Sequence, residues 1–301
     1  MSAIVIATFY KFVPLDDCQE LQTRLQAHCE AISLRGTILL AHEGINATVA
    51  GNRSAVDSVL SWLRGDARFA DLAHKESTAS EIPFQRMKVR VKKEIVTLGQ
   101  PEADPVHRVG TYVKPRDWNA LIQDPDVVVI DTRNDYEVAI GSFEGAIDPG
   151  TEKFRDFPAY IEENLDKRRH KRVAMFCTGG IRCEKSTSYL LNQGFEEVYH
   201  LEGGILKYLE EVPEENSLWR GECFVFDERV AVKHGLALGS YDACRGCGRP
   251  ISEADKAAAT YEEGVCCPHC HATLAKEQRE RLREAHKQRL LARRRQKAQP
   301  A

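Results

Sequence analysis

The stretch Val173-Ala-Met-Phe-Cys177-Thr-Gly-Gly-Ile-Arg182-Cys183 decides how this chain is read. Val173 to Phe176 is a short, continuous apolar run of the kind a buried strand shows, and Glu184 to Gln193 carries a helical pattern stopped by Gly194. Cys177 therefore stands at a strand-to-helix turn. Backbone N–H groups and the positive end of a helix dipole converge there and favour a thiolate over a thiol. Gly179 and Gly180 let the loop Thr178-Gly-Gly-Ile181 curl through positive φ, so that several amides point at one sulfur. Arg182 adds a fixed positive charge. Cys177 is thus the candidate nucleophile and Arg182 its electrostatic partner, with the thiol expected to open into the crevice at the carboxyl end of a parallel sheet. Cys183 begins the helix; it could resolve an oxidised Cys177, although a packed structural thiol is the plainer reading.

Spacing narrows the chemistry. Cys177 to Arg182 is Cys-x4-Arg, one residue tighter than the Cys-x5-Arg loop with which cysteine phosphatases hold phosphate, and a six-residue loop suits sulfur better. On these residues the segment resembles the rhodanese domain. Val127-Val-Val-Ile-Asp-Thr-Arg133, followed by Glu137, Gly141 and Gly145-Ala-Ile147, is similar to that family's first strand and turn, and Tyr199-His-Leu-Glu-Gly-Gly-Ile205 to its last strand and closing turn. Strands at Thr111–Val113, Val127, Val173 and Val198 alternate with helical segments near 116–123, 154–165 and 184–193. That alternation predicts an α/β domain over 110–215 with a mainly parallel sheet.

Ahead of it, a Pro- and charge-rich linker spans 99–109, and residues 1–98 read as βαββαβ. Cys18, Leu21, Leu25, Cys29 and Ile32 recur at helical spacing after a strand at Ala3–Tyr10. Two strands, Gly36–Ala41 and Ile45–Ala50, flank a turn at His42-Glu-Gly44. Ser54 with Asp57 makes a box-like start to a helix bearing Val56, Val59, Leu60 and Leu63, and Met87–Val91 supplies the fourth strand. This order predicts the ferredoxin-like split βαβ arrangement, with an acylphosphatase-like domain as the nearer likeness. RNA-recognition motifs share it but need aromatics on the third strand, and Ile45-Asn-Ala-Thr-Val49 has none. His42 and Glu43, polar residues at the hairpin turn, are the substrate-contact candidates here.

The chain has 301 residues, enough for two or three domains, and ten cysteines. The apolar opening at Ala3–Phe9 lacks a basic flank and is too short for a signal peptide, and no stretch approaches a membrane span. So many thiols without an export signal imply a reducing cytoplasm, in which they serve metals or catalysis. Net charge is −3, and its distribution is uneven: Lys276 to Lys297 holds ten Lys/Arg against three Glu, so this run carries +7 and the remainder −10.

Region 216–301 carries a metal signal. Cys244-Arg-Gly-Cys247 and Cys267-Pro-His-Cys270 are separated by nineteen residues, a spacing that lets two knuckles close a tetrahedral Zn–S4 site. Cys266, His269 and His271 are possible substitutes for one ligand. Four protein ligands would leave no open position, so the zinc would be structural. The basic run reads as a helix whose Arg279, Arg283, Lys287, Arg289, Arg293, Arg294 and Arg295 could neutralise RNA phosphates, against the alternative of a solvated tail.

The whole order resembles one family: Arg35-Gly-Thr-Ile-Leu-Leu-Ala-His-Glu-Gly-Ile-Asn46, then Cys177-Thr-Gly-Gly-Ile-Arg-Cys183, then Gly221-Glu-Cys-Phe-Val-Phe-Asp227 and a cysteine-rich end are similar to TrhO, the rhodanese-type tRNA uridine hydroxylases. Ala47, where that pattern has glycine, departs from it. The resemblance implies oxygen-dependent formation of 5-hydroxyuridine at the wobble base of tRNA, with molecular oxygen as co-substrate. The rhodanese likeness implies instead a persulfide on Cys177, fed by a small sulfane-sulfur donor. The alternatives are therefore a sulfurtransferase, or a persulfide carrier or RNA-binding scaffold without catalysis. No dinucleotide fingerprint and no open His/carboxylate triad stands in the sequence, so neither flavin nor iron is expected. Nothing in it sets the oligomeric state.

Overall fold

The computed structural model describes the backbone of residues 4–298 and the side chains up to Leu291, and the chain divides into two compact units, Met1–Cys223 with His234–Leu236, and Phe224–Lys233 with Ala237–Ala301.

The first unit opens with β1 (Ile4–Phe12), α1 (Cys18–Ala31), β2 (Arg35–Ala41), β3 (Gly44–Gly51), α2 (Arg53–Arg64), β4 (Lys75–Ala79) and β5 (Met87–Val91). The expected apolar spacings form the two helices. α1 buries Leu21, Leu25 and Cys29, and α2 buries Ala55, Val56, Val59, Leu60 and Leu63, against a sheet core that includes Phe9, Ile38, Leu40 and Val49. Truncating one of these leucines to alanine costs about 2–5 kcal/mol through lost transfer energy and the cavity left behind. Asn52, not Ser54, caps α2 by accepting a hydrogen bond from the Ala55 amide. β2 and β3 meet with Ala41 opposite Gly44, which leaves His42 and Glu43 as a two-residue turn. Gly44 is required there: its φ is +145°, and a Cβ would sit 2.0 Å from the Lys11 carbonyl oxygen.

Strand order in this sheet is β4-β1-β3-β2-β5. The strand completing the split βαβ arrangement is therefore β4, antiparallel to β1, whereas Met87–Val91 is a fifth strand, parallel to β2. This corrects the expected order. Lys-Glu-Ser-Thr-Ala at an edge has no apolar run to announce it, since its pairing comes from backbone hydrogen bonds.

The connection 99–109 is no loose tether. Leu98 and Ala103 are buried in the core of the next domain, and the Asn192 side chain donates to the Glu102 carbonyl at 2.7 Å. That domain contains β6 (Thr111–Val113), α3 (Pro115–Ile122), β7 (Val127–Asp131), α4 (Asp135–Val138), β8 (Gly141–Phe143), α5 (Phe157–Asn164), β9 (Arg172–Phe176), α6 (Ile181–Asn192), β10 (Glu197–Leu201), α7 (Gly204–Glu211) and β11 (Trp219–Gly221). Its main sheet runs β6-β10-β9-β7 with every pairing parallel. β11 pairs antiparallel with β8, so residues 219–221 fold with this domain. Phe143 sits edge-on to Phe176, Tyr208 and Trp219, with ring centroids 4.7–5.2 Å away, and thereby ties that small sheet to the main one.

In the second unit, a strand pair (Asp242–Ala243 with Pro250–Ile251) and two short helices, α8 (Glu253–Ala257) and α9 (Pro268–His271), precede the long α10 (Lys276–Ala298). Ile251, Val265 and four buried cysteines make a small core, against which Tyr261, Leu274 and Leu282 pack.

Candidate active site

Cys177 follows the last residue of β9, and Ile181 starts α6. Between them the chain reverses through Gly180, whose φ is +105°. The loop's carbonyls are drawn to one side: the amides of Ile205 and Leu206, at the start of α7, donate to the Cys177 and Thr178 oxygens at 2.9 and 3.1 Å, and the Lys75 ammonium donates to the Gly179 oxygen at 3.4 Å. With the carbonyls occupied, the amides are free for the sulfur, and Gly180 N–H donates to Cys177 Sγ at 3.1 Å. α7 approaches so closely that a Cβ on Gly204 would lie 2.5 Å from the Cys177 oxygen. The Gly203-Gly204 turn is thus part of the site.

Burial by itself would raise the Cys177 pKa. Hydrogen bonds from the Cys183 side chain and amide, the Arg182 charge and the Gly180 amide outweigh it and hold the thiol well below its ordinary range, which favours the thiolate. Cys183 moves the opposite way, raised by burial and by donating to that sulfur. It sits fully buried in the domain core, 3.6 Å from Thr132 Oγ1. One expectation is corrected: Cys177 is only 1 % exposed rather than open to a crevice. The N-terminal domain lies against its loop, and a Cβ on Gly180 would meet Tyr10 Oη at 2.8 Å. Contacts of this kind, made from residues far apart in the chain, leave no local pattern.

Arg182 is locked, as well as charged. Its guanidinium forms two 2.7 Å bonds to the two oxygens of Glu137, which is fully buried, and a longer one, 3.4 Å, to Thr178 Oγ1. Burial opposes the Glu137 charge, but Arg182 and Arg133 prevail and hold its carboxyl below the usual range. Behind it, fully buried Arg133 bonds Asp131 through 2.9 and 2.6 Å contacts and the Glu137 carbonyl at 3.1 Å. The sequence reading named Glu137 only as a point of resemblance. The signal that could have found it is an acidic residue three after Asn134, the capping box that starts α4.

Around the sulfur the N-terminal domain adds side chains that the sequence reading did not select. Tyr10 Oη donates to Glu184 Oε1 at 2.7 Å, and Lys75 also bonds the Gly203 oxygen. Burial lowers the Lys75 pKa to about 8, against the pull of the Cys177 charge. Lys185, the next residue after Glu184, reaches instead to Glu43 at 2.8 Å and Glu94 at 2.5 Å. Glu43 also accepts from the Ile95 amide at 2.6 Å, so this substrate candidate has structural partners in the first unit. His42 is exposed beside Asp16, at 3.2 Å.

Cys244, Cys247, Cys267 and Cys270 come together with all four sulfurs within 4.8 Å of one another, and the set could hold a metal ion. Sulfur–sulfur distances of 3.7 Å (Cys244–Cys270) and 3.8 Å (Cys247–Cys267 and Cys267–Cys270) match the edge of about 3.8 Å that a tetrahedron with 2.3 Å metal–sulfur bonds requires. The substitute ligands stand aside. Cys266 Sγ bonds the Thr260 oxygen at 3.6 Å, and His269 Nε2 lies 3.3 Å from Asp255. In the basic helix, Arg279 donates to the His271 carbonyl at 2.6 Å and Arg283 pairs with Glu262 at 2.5 Å, whereas Lys287 and Arg289 are exposed. The side chains of Arg293, Arg294 and Arg295 lie outside the described residues.

Residues 4–95 match the UPF0176 acylphosphatase-like domain, and residues 114–211 the rhodanese-like domain. Over 289 residues, 96 % of this chain and 97 % of the relative, the sequence is 59 % identical to the tRNA uridine(34) hydroxylase of Picosynechococcus sp.. The chain belongs to the tRNA uridine(34) hydroxylase family. Among solved structures it is similar to a rhodanese-like domain from Anabaena sp. (18 % identity over 36 % of this chain and 78 % of that one, TM-score 0.31). A rhodanese-related protein from Thermoplasma volcanium is also similar (22 % identity, 34 % and 93 % coverage, TM-score 0.27). Both likenesses are too distant to carry an argument. No helix among the described residues is long and apolar enough to cross a membrane.

Proposed function

We propose that this protein is an oxygen-dependent tRNA uridine hydroxylase of the cytoplasm that converts uridine 34 to 5-hydroxyuridine, with Cys177 as its nucleophile. The 59 % identity to a tRNA uridine(34) hydroxylase over 96 % of the chain carries this reading. Uracil C5 is unreactive until a nucleophile adds at C6. The Cys177 thiolate makes that addition, and the electron pair released toward C5 and O4 gives oxygen an enolate-like carbon to meet. Arg182, anchored on Glu137, supplies positive charge close to the sulfur and keeps the loop in shape.

Zinc is the metal we assign to the four-cysteine cluster, where it would crosslink the knuckles and take no part in the reaction. Lys287 and Arg289 are the tail side chains proposed to touch tRNA phosphates, since Arg279 and Arg283 already have partners in the zinc module. Nucleoside mass spectrometry of tRNA tests the reading, in a strain lacking this gene and complemented with either wild type or Cys177→Ser. Wild type restores 5-hydroxyuridine and the variant does not. If the variant restored it, Cys177 would not be the nucleophile. If wild type failed while moving sulfur from thiosulfate to cyanide, the protein would be a sulfurtransferase.

A further inference from the structure

Glu184 stands one residue beyond Cys183 on the first turn of α6, close enough to the Cys177 sulfur to feel its charge. Its neighbours differ from those of three other buried or part-buried acids of this domain pair, Glu137, Glu43 and Glu94. Glu137 is locked on Arg182, and Glu43 and Glu94 on Lys185, but among the described residues no cation pairs with Glu184. One phenol holds it instead, Tyr10 from β1 at 2.7 Å, and the Tyr112 phenol of β6 lies close enough to interact with the carboxyl. The Tyr112 ring lies 4.2 Å from the His200 ring, and the residue is 46 % exposed. The groups that interact with Glu184 are therefore Tyr10, Tyr112 and the Cys177 charge, while the Lys75 ammonium is bonded to the Gly179 and Gly203 carbonyls. A half-buried carboxyl held by the Tyr10 hydroxyl, without a paired cation among the described residues and close to the Cys177 loop, is arranged to move a proton.

We propose that Glu184 is the catalytic base that removes the C5 hydrogen of the hydroxylated uracil, with Tyr10 and Tyr112 as positioning residues for its carboxylate. The inference rests on the reading of Cys177 as the group that adds to C6. Dioxygen adds to C5 as a hydroperoxide, and a two-electron thiol reductant cleaves its O–O bond and releases the outer oxygen as water; in the resulting adduct C5 carries both its hydrogen and the new hydroxyl, while C6 carries the sulfur. Glu184 takes the C5 hydrogen as a proton. The electron pair of that C–H bond re-forms the C5–C6 double bond, the C6–S bond breaks, and its pair leaves on sulfur as thiolate. No electrons enter or leave in this step, and the carboxyl afterwards returns its proton to water. The loop that stabilises thiolate makes sulfur a good leaving group. Burial raises the Glu184 pKa; the two tyrosine hydroxyls oppose that rise and the Cys177 charge adds to it, leaving a stronger base than an ordinary carboxylate.

The test isolates the tagged full-length chain under denaturing conditions from cells and measures covalently attached tRNA alongside 5-hydroxyuridine. Glu184→Gln should lower 5-hydroxyuridine formation by roughly 100-fold and accumulate a protein–tRNA adduct. The adduct should vanish in the Cys177→Ser/Glu184→Gln double variant, and Glu184→Asp should recover part of the activity. Near-normal 5-hydroxyuridine with Glu184→Gln would overturn the proposal, as would its loss from a folded variant with no adduct. Activity in Cys177→Ser would instead sink the underlying reading, whatever Glu184→Gln does.

Discussion

Two groups of cysteines in this chain put the same side chain to opposite uses. Cys177 has the Gly180 amide donor and the Arg182 charge beside a single sulfur, surroundings that favour its thiolate form. The four sulfurs of Cys244, Cys247, Cys267 and Cys270 have one another, at tetrahedral edge distances. Such a set suits a cation at its centre, and a metal-bound thiolate with four filled positions is shielded from substrate. Donors around one sulfur make a nucleophile, and four sulfurs around a point make a ligand set.

The largest expected effect breaks the first side of this comparison. Cys177→Ser should lower hydroxylation by at least about a thousandfold, since the nucleophile acts as a unit with its loop. Circular dichroism should show the fold kept, and activity above that level would mean the loop only binds.

On the other side, replacing Cys244 and Cys247 together by Ser should remove one zinc per chain in elemental analysis. It should also expose the second unit to protease, because binding free energy at such sites is folding free energy of about 10–16 kcal/mol. Stoichiometric zinc in the double variant would refute the ligand set.

A smaller effect concerns what supports Cys177. Glu137→Ala leaves Arg182 buried without its partner and should cost about 3–5 kcal/mol in denaturant unfolding. A stability change under about 1 kcal/mol would show Arg182 to be solvated in solution.

The charge on Cys177 can be read directly with iodoacetamide. Thiolate is the alkylated form and dominates above the group's own pKa. A depressed pKa therefore places the pH midpoint of alkylation below the ordinary cysteine value of about 8.5, whatever absolute rate the covered sulfur allows, and Arg182→Gln should move that midpoint upward. The four cluster thiols, with zinc in place, should stay slow over the same range, and equal rates in the two groups would erase the contrast.

Smallest of all is the tail. Lys287→Gln with Arg289→Gln should reduce the slope of log affinity against log salt by about two and leave rate at saturating tRNA unchanged. An unaltered slope would make this part of α10 a solvated surface.

Local pattern made much of this legible. An apolar run, two glycines and an arginine identify the Cys177 loop, because a strand-to-helix turn needs those residue types in consecutive positions. Two Cys-x2-Cys pairs identify the metal-ligand set for the same reason, since each knuckle is a local turn. Edge strand β4 escaped notice because it lies on backbone pairing and has no buried face of its own. Glu137 and Glu184 escaped in a different way: the Asn134–Glu137 spacing marks a helix start but not a buried ion pair, and nothing beside Glu184 in sequence distinguishes a buried carboxylate from a solvated one.

The sequence by itself determined the domain order, the glycine loop that follows Cys177, and the four-sulfur set, all of which depend on spacings of a few residues. Tertiary structure alone decided that Cys177 is covered, that Arg182 is bound to Glu137, and that Tyr10 and Lys75 from the first domain stand at the second domain's sulfur. The physical reason is distance along the chain. Tyr10 and Glu184 are 174 residues apart, and a hydrogen bond across that separation exists only once both domains have folded and met.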